Sequence, residues 1–295
     1  MRHIYSEEEF LKKAIEYNEE TTLEMVPKWC NNIAHNMGIC REAKDIAKFP
    51  TMGQSKRVVL IGAGWSLKDE DIKELAKAKG CDVIVCNKSF ERVVKNGLEP
   101  SWVVLLDADA ISATQFEFLK NPLSGKVTPD FLVSSCSYPR TLKIINSYSS
   151  SYGGMYIFNP ETDLGGQIPL NKTWEWMNYK PTFKHGGNVG GVMVDLAIYL
   201  NYQEIALLGF DFCEKPNPKW TMEEALEREY LYYPDQDVFV SQPFNFACYA
   251  QYVLGRMRAF STVEGRKGIN LADSPIMRHC PYLEQRNIHE FAESV

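Results

Sequence analysis

The sequence lacks a long apolar run, a surplus of basic residues and a signal peptide. No apolar segment approaches the roughly 18 residues needed to cross a bilayer, and Met1–Glu9 lacks the apolar core of a signal peptide. Lys and Arg number 32 against 38 Asp and Glu, a net charge of −6. Proteins that bind nucleic acids usually carry a basic patch. These absences favour a cytoplasmic protein with neither a membrane nor a nucleic acid as its partner.

Paired cysteine motifs, internal repeats and low-complexity segments are missing as well. The eight cysteines form no Cys-x-x-Cys pair. Several of them stand in apolar surroundings (Cys86, Cys136, Cys248), so we expect buried reduced thiols rather than disulfides or a metal cluster. The chain has 295 residues, 45% hydrophobic and 24% charged. That is an ordinary globular composition, sufficient for one large domain or for one domain with appended helices.

A glycine-containing stretch follows the first apolar run. Val58–Ile61 is short, β-branched and bounded by glycine, which predicts a buried strand. Gly62 and Gly64 permit a tight turn, and Ser66 is suited to cap the next helix. A strand, a glycine turn and a helix N-terminus form an anion site, so these three residues are candidate phosphate ligands. Leu67 stands where the dinucleotide fingerprint needs its third glycine, so a plain strand-to-helix turn is the alternative.

From residue 57 onward, strand and helix patterns alternate. This alternation predicts an α/β fold with a doubly wound, mostly parallel Rossmann-like sheet. We predict strands at Val58–Ile61, Asp82–Cys86, Trp102–Leu106, Phe131–Ser135, Met155–Phe158, Glu204–Leu208 and Gly268–Leu271. We predict helices between them at Asp69–Lys79, Phe90–Asn96, Ala113–Leu119, Arg140–Ser147 and Asn188–Leu200.

Helical patterns flank this region on both sides. They begin with a capping box at Ser6–Glu9 and continue at Thr22–Met37, Glu42–Lys48, Met222–Tyr230, Phe244–Phe260 and Asn287–Glu293. We expect an N-terminal helical segment (residues 1–50), a nucleotide-binding domain (residues 51–215) and a C-terminal helical extension completing it (residues 216–295). The N-terminal helices pack either on the main domain or between copies of the chain, which leaves a homo-oligomer open.

Polar residues follow several predicted strands, at the edge where doubly wound sheets bind ligands. Asp107 and Asp109 form an Asp-x-Asp, and carboxylates two residues apart on an extended chain can share one Mg²⁺ ion with substrate phosphates. Alternatively, Asp107 caps the next helix and Asp109 is solvated. Asn87 and Asp211 follow two other strands and are candidates either for nucleotide contacts or for closing turns.

A second glycine stretch, His185–Gly191, precedes an amphipathic helix. Glycines are poor helix formers, so these four indicate close backbone approach or an unusual φ. Gly187, Asn188 and Gly190 are candidate contacts for a phosphate or a ribose at this helix N-terminus, with Asn188 as its cap. Tight packing of the helix start against the sheet is the alternative. His185 is a candidate base or phosphate partner.

The order of these motifs resembles a known family. The 6-hydroxymethylpterin diphosphokinase MptE-like domain, which bacterial motility accessory factors share, is similar over roughly Asn31–Asn270. Trp65 stands where that family has proline, and Ala110 where its diphosphokinases have glycine. The resemblance rests on Ile61-Gly-Ala-Gly-Trp-Ser-Leu67, Cys86-Asn-Lys-Ser-Phe90, Gly97–Asp109, Gly186–Gly190 and Leu208–Asp211.

The resemblance implies a transferase that moves diphosphate from ATP, the donor substrate, to a small alcohol such as a hydroxymethylpterin, with Mg²⁺ as cofactor. It implies phosphate contacts from Gly62, Gly64 and Ser66 and a further phosphate or ribose contact from Gly187–Gly190. Metal binding and catalysis would fall to the Asp-x-Asp pair. Such transfer depends on positioning and charge neutralisation, so it requires no nucleophilic side chain.

Two alternatives follow from the same stretches. Cys86–Phe90 and Val192–Asp211 are also similar to bacterial sialyltransferases, which implies glycosyl transfer from a nucleotide sugar. That family uses a histidine base from a lid and no metal, whereas here no histidine lies between His185 and His279. Trp65 and Ala110 both depart from the family pattern, which leaves a third interpretation: a non-catalytic interaction module on the same fold.

Overall fold

The computed structural model describes residues 7–46, 56–120, 128–161, 178–215, 230–233 and 238–294, with Lys172, Trp174 and Glu175. Within these ranges a large parallel sheet carries helices on both faces, which confirms the predicted α/β class. Its strands are β1 (Lys44–Asp45), β2 (Arg57–Ile61), β3 (Asp82–Cys86), β4 (Trp102–Leu105), β5 (Asp130–Ser134), β6 (Met155–Pro160), β7 (Thr182–Phe183), β8 (Glu204–Leu208), β11 (Lys267–Asn270) and β12 (Glu284–Gln285).

The helices are α1 (Glu7–Glu42), α2 (Asp69–Leu75), α3 (Asn87–Lys95), α4 (Ile111–Thr114), α5 (Pro139–Tyr152), α6 (Val189–Tyr199), α7 (Phe244–Ser261), α8 (Pro275–Arg278) and α9 (Ile288–Glu293). A short 3₁₀ turn, Glu117–Lys120, follows α4 and replaces the second half of the helix predicted there. A separate antiparallel hairpin consists of β9 (Tyr230–Tyr233) and β10 (Val238–Ser241).

The strand order of the sheet is β1-β6-β5-β4-β3-β2-β8-β11-β12, with β7 paired to β6. From β2 the chain adds strands in one direction as far as β6. It then returns to the other side of β2 with β8, and continues outward to β11. The direction of winding therefore reverses between β2 and β8, the position at which doubly wound sheets bind their ligands.

The pleat of the strands explains the two-sided core. Along β2, Val59 and Ile61 join one hydrophobic cluster, whereas Val58 and Leu60 join the other. Successive side chains of a strand point to opposite faces, so an unbroken apolar run suits a sheet that is covered on both sides. Helices α2, α3 and α5 cover the first face, and α6 and α7 cover the second.

The N-terminal region differs from the prediction. A single helix, α1, extends through Thr22–Met37 and contains Pro27, whereas separate helices were expected. Proline removes one backbone hydrogen bond, but burial of Ile33 and Cys40 against the rest of the protein supports the helix beyond it. The predicted helix at Glu42–Lys48 is wrong in its described part, because β1 pairs there with β6. Ser6 of the capping box lies outside the described residues.

The C-terminal region contributes strands to the same sheet. β11 pairs with β8, so residues after the expected boundary at 215 complete the sheet, while the exact domain boundaries stay a prediction. The hairpin of β9 and β10 was not predicted, although its aromatic and β-branched residues are typical of strands. The predicted helix Met222–Tyr230 falls outside the described residues except for Tyr230, which begins β9. In the described parts of the chain, no helix combines the length and apolarity needed to cross a membrane.

Candidate functional site

The loop after β2 lies directly against the loop after β8. Its backbone N–H groups donate across this contact: Gly62 to the Leu208 carbonyl (2.8 Å), Gly64 to the Gly209 carbonyl (2.8 Å) and Ser66 to Asp211 Oδ2 (2.7 Å). The expectation that these three N–H groups are free to bind a phosphate is therefore wrong. They hold the two loops together at the point where the sheet reverses its winding.

Close approach of the two loops explains why glycine occurs at these positions. A Cβ atom on Gly62 would lie 2.4 Å from the Gly209 carbonyl oxygen, and one on Gly64 would lie 2.2 Å from Asp211 Oδ2. Both distances are far below an ordinary van der Waals contact. Packing within the protein thus requires these glycines.

Asp211 carries a buried carboxylate at the centre of this contact. The residue is 1% exposed, and Oδ1 has no well-aligned hydrogen-bond donor in the described part of the chain. Burial raises the pKa of Asp211, and the bonds offered by Ser66 act in the opposite direction. Ser66 Oγ is also buried, and its hydroxyl interacts with the same carboxylate. Ser66 does not cap the next helix as predicted, because the residue before α2 is Lys68.

The loop after β11 completes this part of the edge. The Ser274 hydroxyl donates to the Asp211 carbonyl oxygen at 3.0 Å. Trp65 packs with Phe212 against Cys213 and Ile276, and Phe212 has a φ of 51°, a conformation that costs energy for a bulky residue. We did not single out Phe212 or Ser274 from the sequence. The rule that polar residues after strands face the ligand edge would have identified Ser274, since it follows β11.

Asn87 lies one strand farther along, as the first residue of α3. It is buried, and its Nδ2 donates to Gln115 Oε1 at 2.5 Å. Nearby, the Ser89 hydroxyl donates to the Gly62 carbonyl oxygen at 2.7 Å, which connects α3 to the first glycine loop. Asn87 is thus at the expected edge, with its side-chain amide already engaged by the protein.

Asp107 and Asp109 follow β4 at the same edge. Asp107 Oδ1 accepts the backbone N–H of Asp109 at 2.8 Å, and Asp109 forms an ion pair with Lys28 of α1. Burial raises the pKa of the Asp107 carboxyl, and the hydrogen bond from Asp109 opposes that shift. The strand ends at Leu105, so the two carboxylates lie on a turn and not on the extended backbone that we assumed.

Helix α1 holds this turn in place through a polar face that the sequence did not reveal. Asn32 Nδ2 donates to the carbonyl oxygens of Ala108 (3.0 Å) and Cys136 (2.9 Å), in the loops after β4 and β5. One turn later, Asn36 Nδ2 donates to two further carbonyls of the loop after β5, those of Ser135 (3.0 Å) and Ser137 (2.7 Å). Lys28 precedes Asn32 by one turn, so the three side chains share one face.

The second glycine loop is fixed by His185. The N–H of Gly187 donates to His185 Nδ1 at 2.9 Å, and Nε2 lies 2.8 Å from the Glu161 carbonyl oxygen. The imidazole therefore accepts at Nδ1 and donates at Nε2. Burial lowers the pKa of His185, which favours this neutral form. Both ring nitrogens already form hydrogen bonds within the protein, so neither is free in this structure to act as the base that we expected.

The glycines of this loop pack against α7 and against the loop after β8. Gly186 and Gly187 have positive φ values of 55° and 82°, as the sequence pattern predicted. A Cβ atom on Gly190 would lie 2.8 Å from the Phe210 ring. Asn188 caps α6, because its side chain accepts the N–H of Gly191 at 3.0 Å. The two glycine loops thus meet at residues 209–210.

The predicted site residues fall into two groups. Gly62, Gly64, Ser66 and Asp211 are in direct contact, and Gly190 reaches the same loop through Phe210. The Asp107–Asp109 turn lies under α1. No set of three or more metal-ligating side chains is found among the described residues. Two carboxylates still suit Mg²⁺, which proteins often hold with one or two carboxylates together with substrate phosphates.

Comparison with known proteins agrees with this architecture. A motility accessory factor (MAf) glycosyltransferase from Magnetospirillum magneticum AMB-1 is similar in structure, with a TM-score of 0.58 and 14% sequence identity. The similarity covers 87% of this chain and 38% of that protein, so this chain spans well under half of its length. No curated protein matches the sequence. The family model described as 6-hydroxymethylpterin diphosphokinase MptE-like matches residues 28–217, well over half of the chain, and the protein therefore belongs to the MptE-like family.

Proposed function

We propose that the protein is a nucleotide-dependent transferase that moves diphosphate from ATP to a small alcohol such as a hydroxymethylpterin. The alcohol loses its proton as its oxygen bonds to the β-phosphorus, the bond from that phosphorus to the oxygen bridging to the α-phosphate breaks, and AMP leaves. Membership of the MptE-like family supports a transferase. The observation that carries the diphosphate reading is the Asp107–Asp109 turn after β4, at the edge where such sheets bind ligands.

The carboxylates of this turn fit a divalent cation bound together with phosphates. Asp107 is partly buried and its pKa is raised by that burial, so a nearby positive charge would stabilise its ionised form. Asp109 is already paired with a cation, the ammonium group of Lys28. Asp107 and Asp109 would hold Mg²⁺, which would neutralise charge on the transferred diphosphate. Lys28 would then be free to contact a phosphate oxygen.

The test measures nucleotide binding and transfer with and without Mg²⁺. We expect ATP to stabilise the protein only when Mg²⁺ is present, by about 2.7 kcal/mol at 100 times its dissociation constant. Asp107→Asn keeps the side-chain shape and should weaken Mg²⁺-dependent ATP binding by about tenfold or more, because it removes one ligand charge. Chromatography measures the formation of AMP and of the diphosphorylated alcohol. In Asp107→Asn both should decrease together with ATP binding.

Glu264→Gln is the matched control for this test. It also removes one negative charge, but Glu264 is exposed and precedes β11, at the opposite edge of the sheet. Its ATP affinity and product formation should equal those of the wild-type protein. Equal losses in Asp107→Asn and Glu264→Gln would mean that net charge, and not the Asp107–Asp109 turn, governs binding.

Glycosyl transfer from a nucleotide sugar is the second candidate. The N–H groups of Gly62, Gly64 and Ser66 all donate to acceptors within the protein. This supports glycosyl transfer, since a donor with fewer phosphates requires fewer hydrogen bonds from backbone N–H groups. The similar MAf protein is named a glycosyltransferase. Glycosyl transfer would be favoured over diphosphate transfer if the wild-type protein bound a cytidine monophosphate sugar without Mg²⁺ and showed no metal-dependent ATP binding.

A further inference from the structure

Two aromatic side chains stand at the position where the sheet reverses its winding. Trp65 follows β2 and Phe212 follows β8; both pack against Cys213 and Ile276, and each remains partly exposed. We propose that these two rings bind the base of the donor nucleotide by stacking. This inference rests on the proposed nucleotide-dependent function. It applies to ATP and to a nucleotide sugar alike, because both donors carry a base.

The orientation of Trp65 leaves a hydrocarbon surface exposed. Its indole nitrogen is buried and interacts with the Cys213 thiol. That nitrogen is the only polar atom of the ring, so the exposed part of the indole is carbon. Such a surface can stack on any nucleobase, since every base has a π-face. Trp65 stands where the MptE-like family has proline, so this surface is a feature of this chain and not of the family pattern.

Phe212 is held in a backbone conformation that costs energy. Its φ of 51° is a left-handed value that glycine adopts freely, as Gly209 does in the same loop with a φ of 69°. The Gln242 side chain donates to the Phe212 carbonyl oxygen at 3.1 Å, and the Phe210 ring lies 6.0 Å from the Phe212 ring. Strained residues that their surroundings hold in place cluster at ligand sites. A phenylalanine at a position where glycine would be unstrained indicates that the ring itself is needed.

The first glycine loop suits a base better than a phosphate. The N–H groups of Gly62, Gly64 and Ser66 donate to acceptors within the protein. An ionised Asp211 at the same contact would also repel a phosphate. A nucleobase carries no charge at neutral pH and needs none of these N–H groups in order to stack.

The distance from the Asp107–Asp109 turn assigns the aromatic pair to the donor and not to the acceptor. The turn follows β4, from which β2 is two strands away and β8 is three. Neighbouring strands lie about 4.8 Å apart, so the pair is about 10–14 Å from the turn. In a nucleotide, the ribose and the α-phosphate separate the base from the β-phosphate, which suits such a gap. A hydroxymethylpterin carries its alcohol directly on the ring, so its ring has to lie beside the diphosphate.

The experiment compares two ligands that differ only in the base. AMP and ribose 5-phosphate are titrated calorimetrically into the wild-type protein and into Trp65→Leu, which removes the ring and keeps an apolar side chain. We expect the wild-type protein to bind AMP about 5- to 100-fold more tightly than ribose 5-phosphate, the effect of stacking one base on an aromatic side chain. In Trp65→Leu this ratio should fall to within about threefold, because leucine has no π-face.

Three further variants separate stacking from a purely structural role. Trp65→Phe keeps a ring and should keep most of the preference for AMP. Phe212→Leu removes the second ring and should lower the ratio too, which tests the proposal even if Trp65→Leu does not fold. Tyr282→Leu is the matched control, because Tyr282 is 42% exposed and precedes β12, at the opposite edge of the sheet. It should keep the wild-type ratio. Circular dichroism and thermal melting establish that each variant is folded.

The outcomes distinguish this proposal from the proposed function. Equal affinity of the wild-type protein for AMP and ribose 5-phosphate overturns the base assignment, as does an unchanged ratio in folded Trp65→Leu and Phe212→Leu. Trp65→Leu that binds 6-hydroxymethylpterin more weakly and AMP as before also overturns it, in favour of the acceptor ring. A preference for AMP that depends on Trp65, without metal-dependent transfer, supports the assignment and rejects only the diphosphate reaction. Binding of none of the three ligands overturns both.

Discussion

At the residue scale, His185 shows how neighbouring groups limit a side chain's chemistry. A histidine beside a glycine loop suggested a base, yet one ring nitrogen holds the loop and the other bonds the Glu161 carbonyl. The role open to it is to fix the shape of residues 185–187. The sequence could place His185 near the ligand edge, but the two hydrogen-bond partners depend on how β7 and α6 are arranged in space.

The His185 environment predicts an acid-sensitive contribution to stability. Its pKa is lowered in the folded protein, from about 6.5 in the unfolded chain, because burial disfavours the charged ring. Its stabilising contribution is therefore complete above about pH 6.5 and is lost as the pH falls toward the folded-state value. In urea unfolding between pH 7.5 and pH 5.5, wild-type protein should lose more stability than His185→Gln.

His289 provides a control of opposite sign. Hydrogen bonding to Glu74 and the charge of Glu293 raise its pKa. Its contribution is complete below about pH 6.5 and is lost as the pH rises through the folded-state value. His289→Gln should therefore lose stability relative to wild type in acid rather than gain it. The same direction of change in both variants would contradict this account of the two histidines.

The close packing at Gly64 predicts a stability effect. A Cβ atom added there would meet Asp211 Oδ2 inside the protein, so Gly64→Ala should cost about 1–3 kcal/mol of unfolding free energy.

Gly38 is the matched control for this substitution. Nothing lies within 4 Å of a Cβ added there, and the residue is inside α1. Gly38→Ala should stabilise the protein by about 0.5–1 kcal/mol, since alanine favours the helix. Guanidinium unfolding measures both variants. A Gly64→Ala protein as stable as wild type would mean that the two loops do not make the close contact described.

At the scale of elements, α1 connects two loops at the edge of the sheet where ligands are expected to bind. Its face of Lys28, Asn32 and Asn36 bonds the loops after β4 and β5. The helical pattern of this segment was recognised in the sequence. The position of α1 against these loops was not predicted, because an asparagine in a helical pattern does not indicate which backbone carbonyls it will bond.

Asn32→Ala should destabilise the protein by about 1–3 kcal/mol, because two carbonyl oxygens lose their donor in a buried setting. Asn31→Ala removes the same amide from the neighbouring, exposed position and should change stability by no more than about 0.5 kcal/mol. Thermal and chemical unfolding measure the difference. Comparable effects of the two substitutions would show that the hydrogen bonds from Asn32 to the two loops contribute nothing to stability.

The elements themselves were predictable to different degrees. The central strands were located within two residues, since apolar β-branched runs between glycines and polar residues leave few alternatives. Strand β1, two residues long, was not foreseen. A two-residue strand has no periodicity, and Lys44–Asp45 forms one only because β6 offers a free edge.

At the scale of the whole molecule, the fold class predicted which residues follow the carboxyl ends of the strands, but not which of them are in contact. The rule that ligands bind after the strands selected Gly62, Asn87, Asp107 and Asp211 correctly as edge residues. The rule is silent on which of them touch. Contact between Gly64 and Asp211 depends on β2 and β8 being neighbours, and strand order is not written in the local sequence.

The pairing of β2 with β8 also has a consequence during synthesis of the chain. Arg57 pairs with Glu204, so roughly 150 residues must be translated after β2 before its partner exists. At about 5–20 residues per second, the open edge of β2 waits on the order of 10–30 s. An unpaired, apolar strand edge is a template for association with other chains. The nascent protein is therefore most exposed to aggregation, and most dependent on chaperones, in the interval before residues 204–208 leave the ribosome.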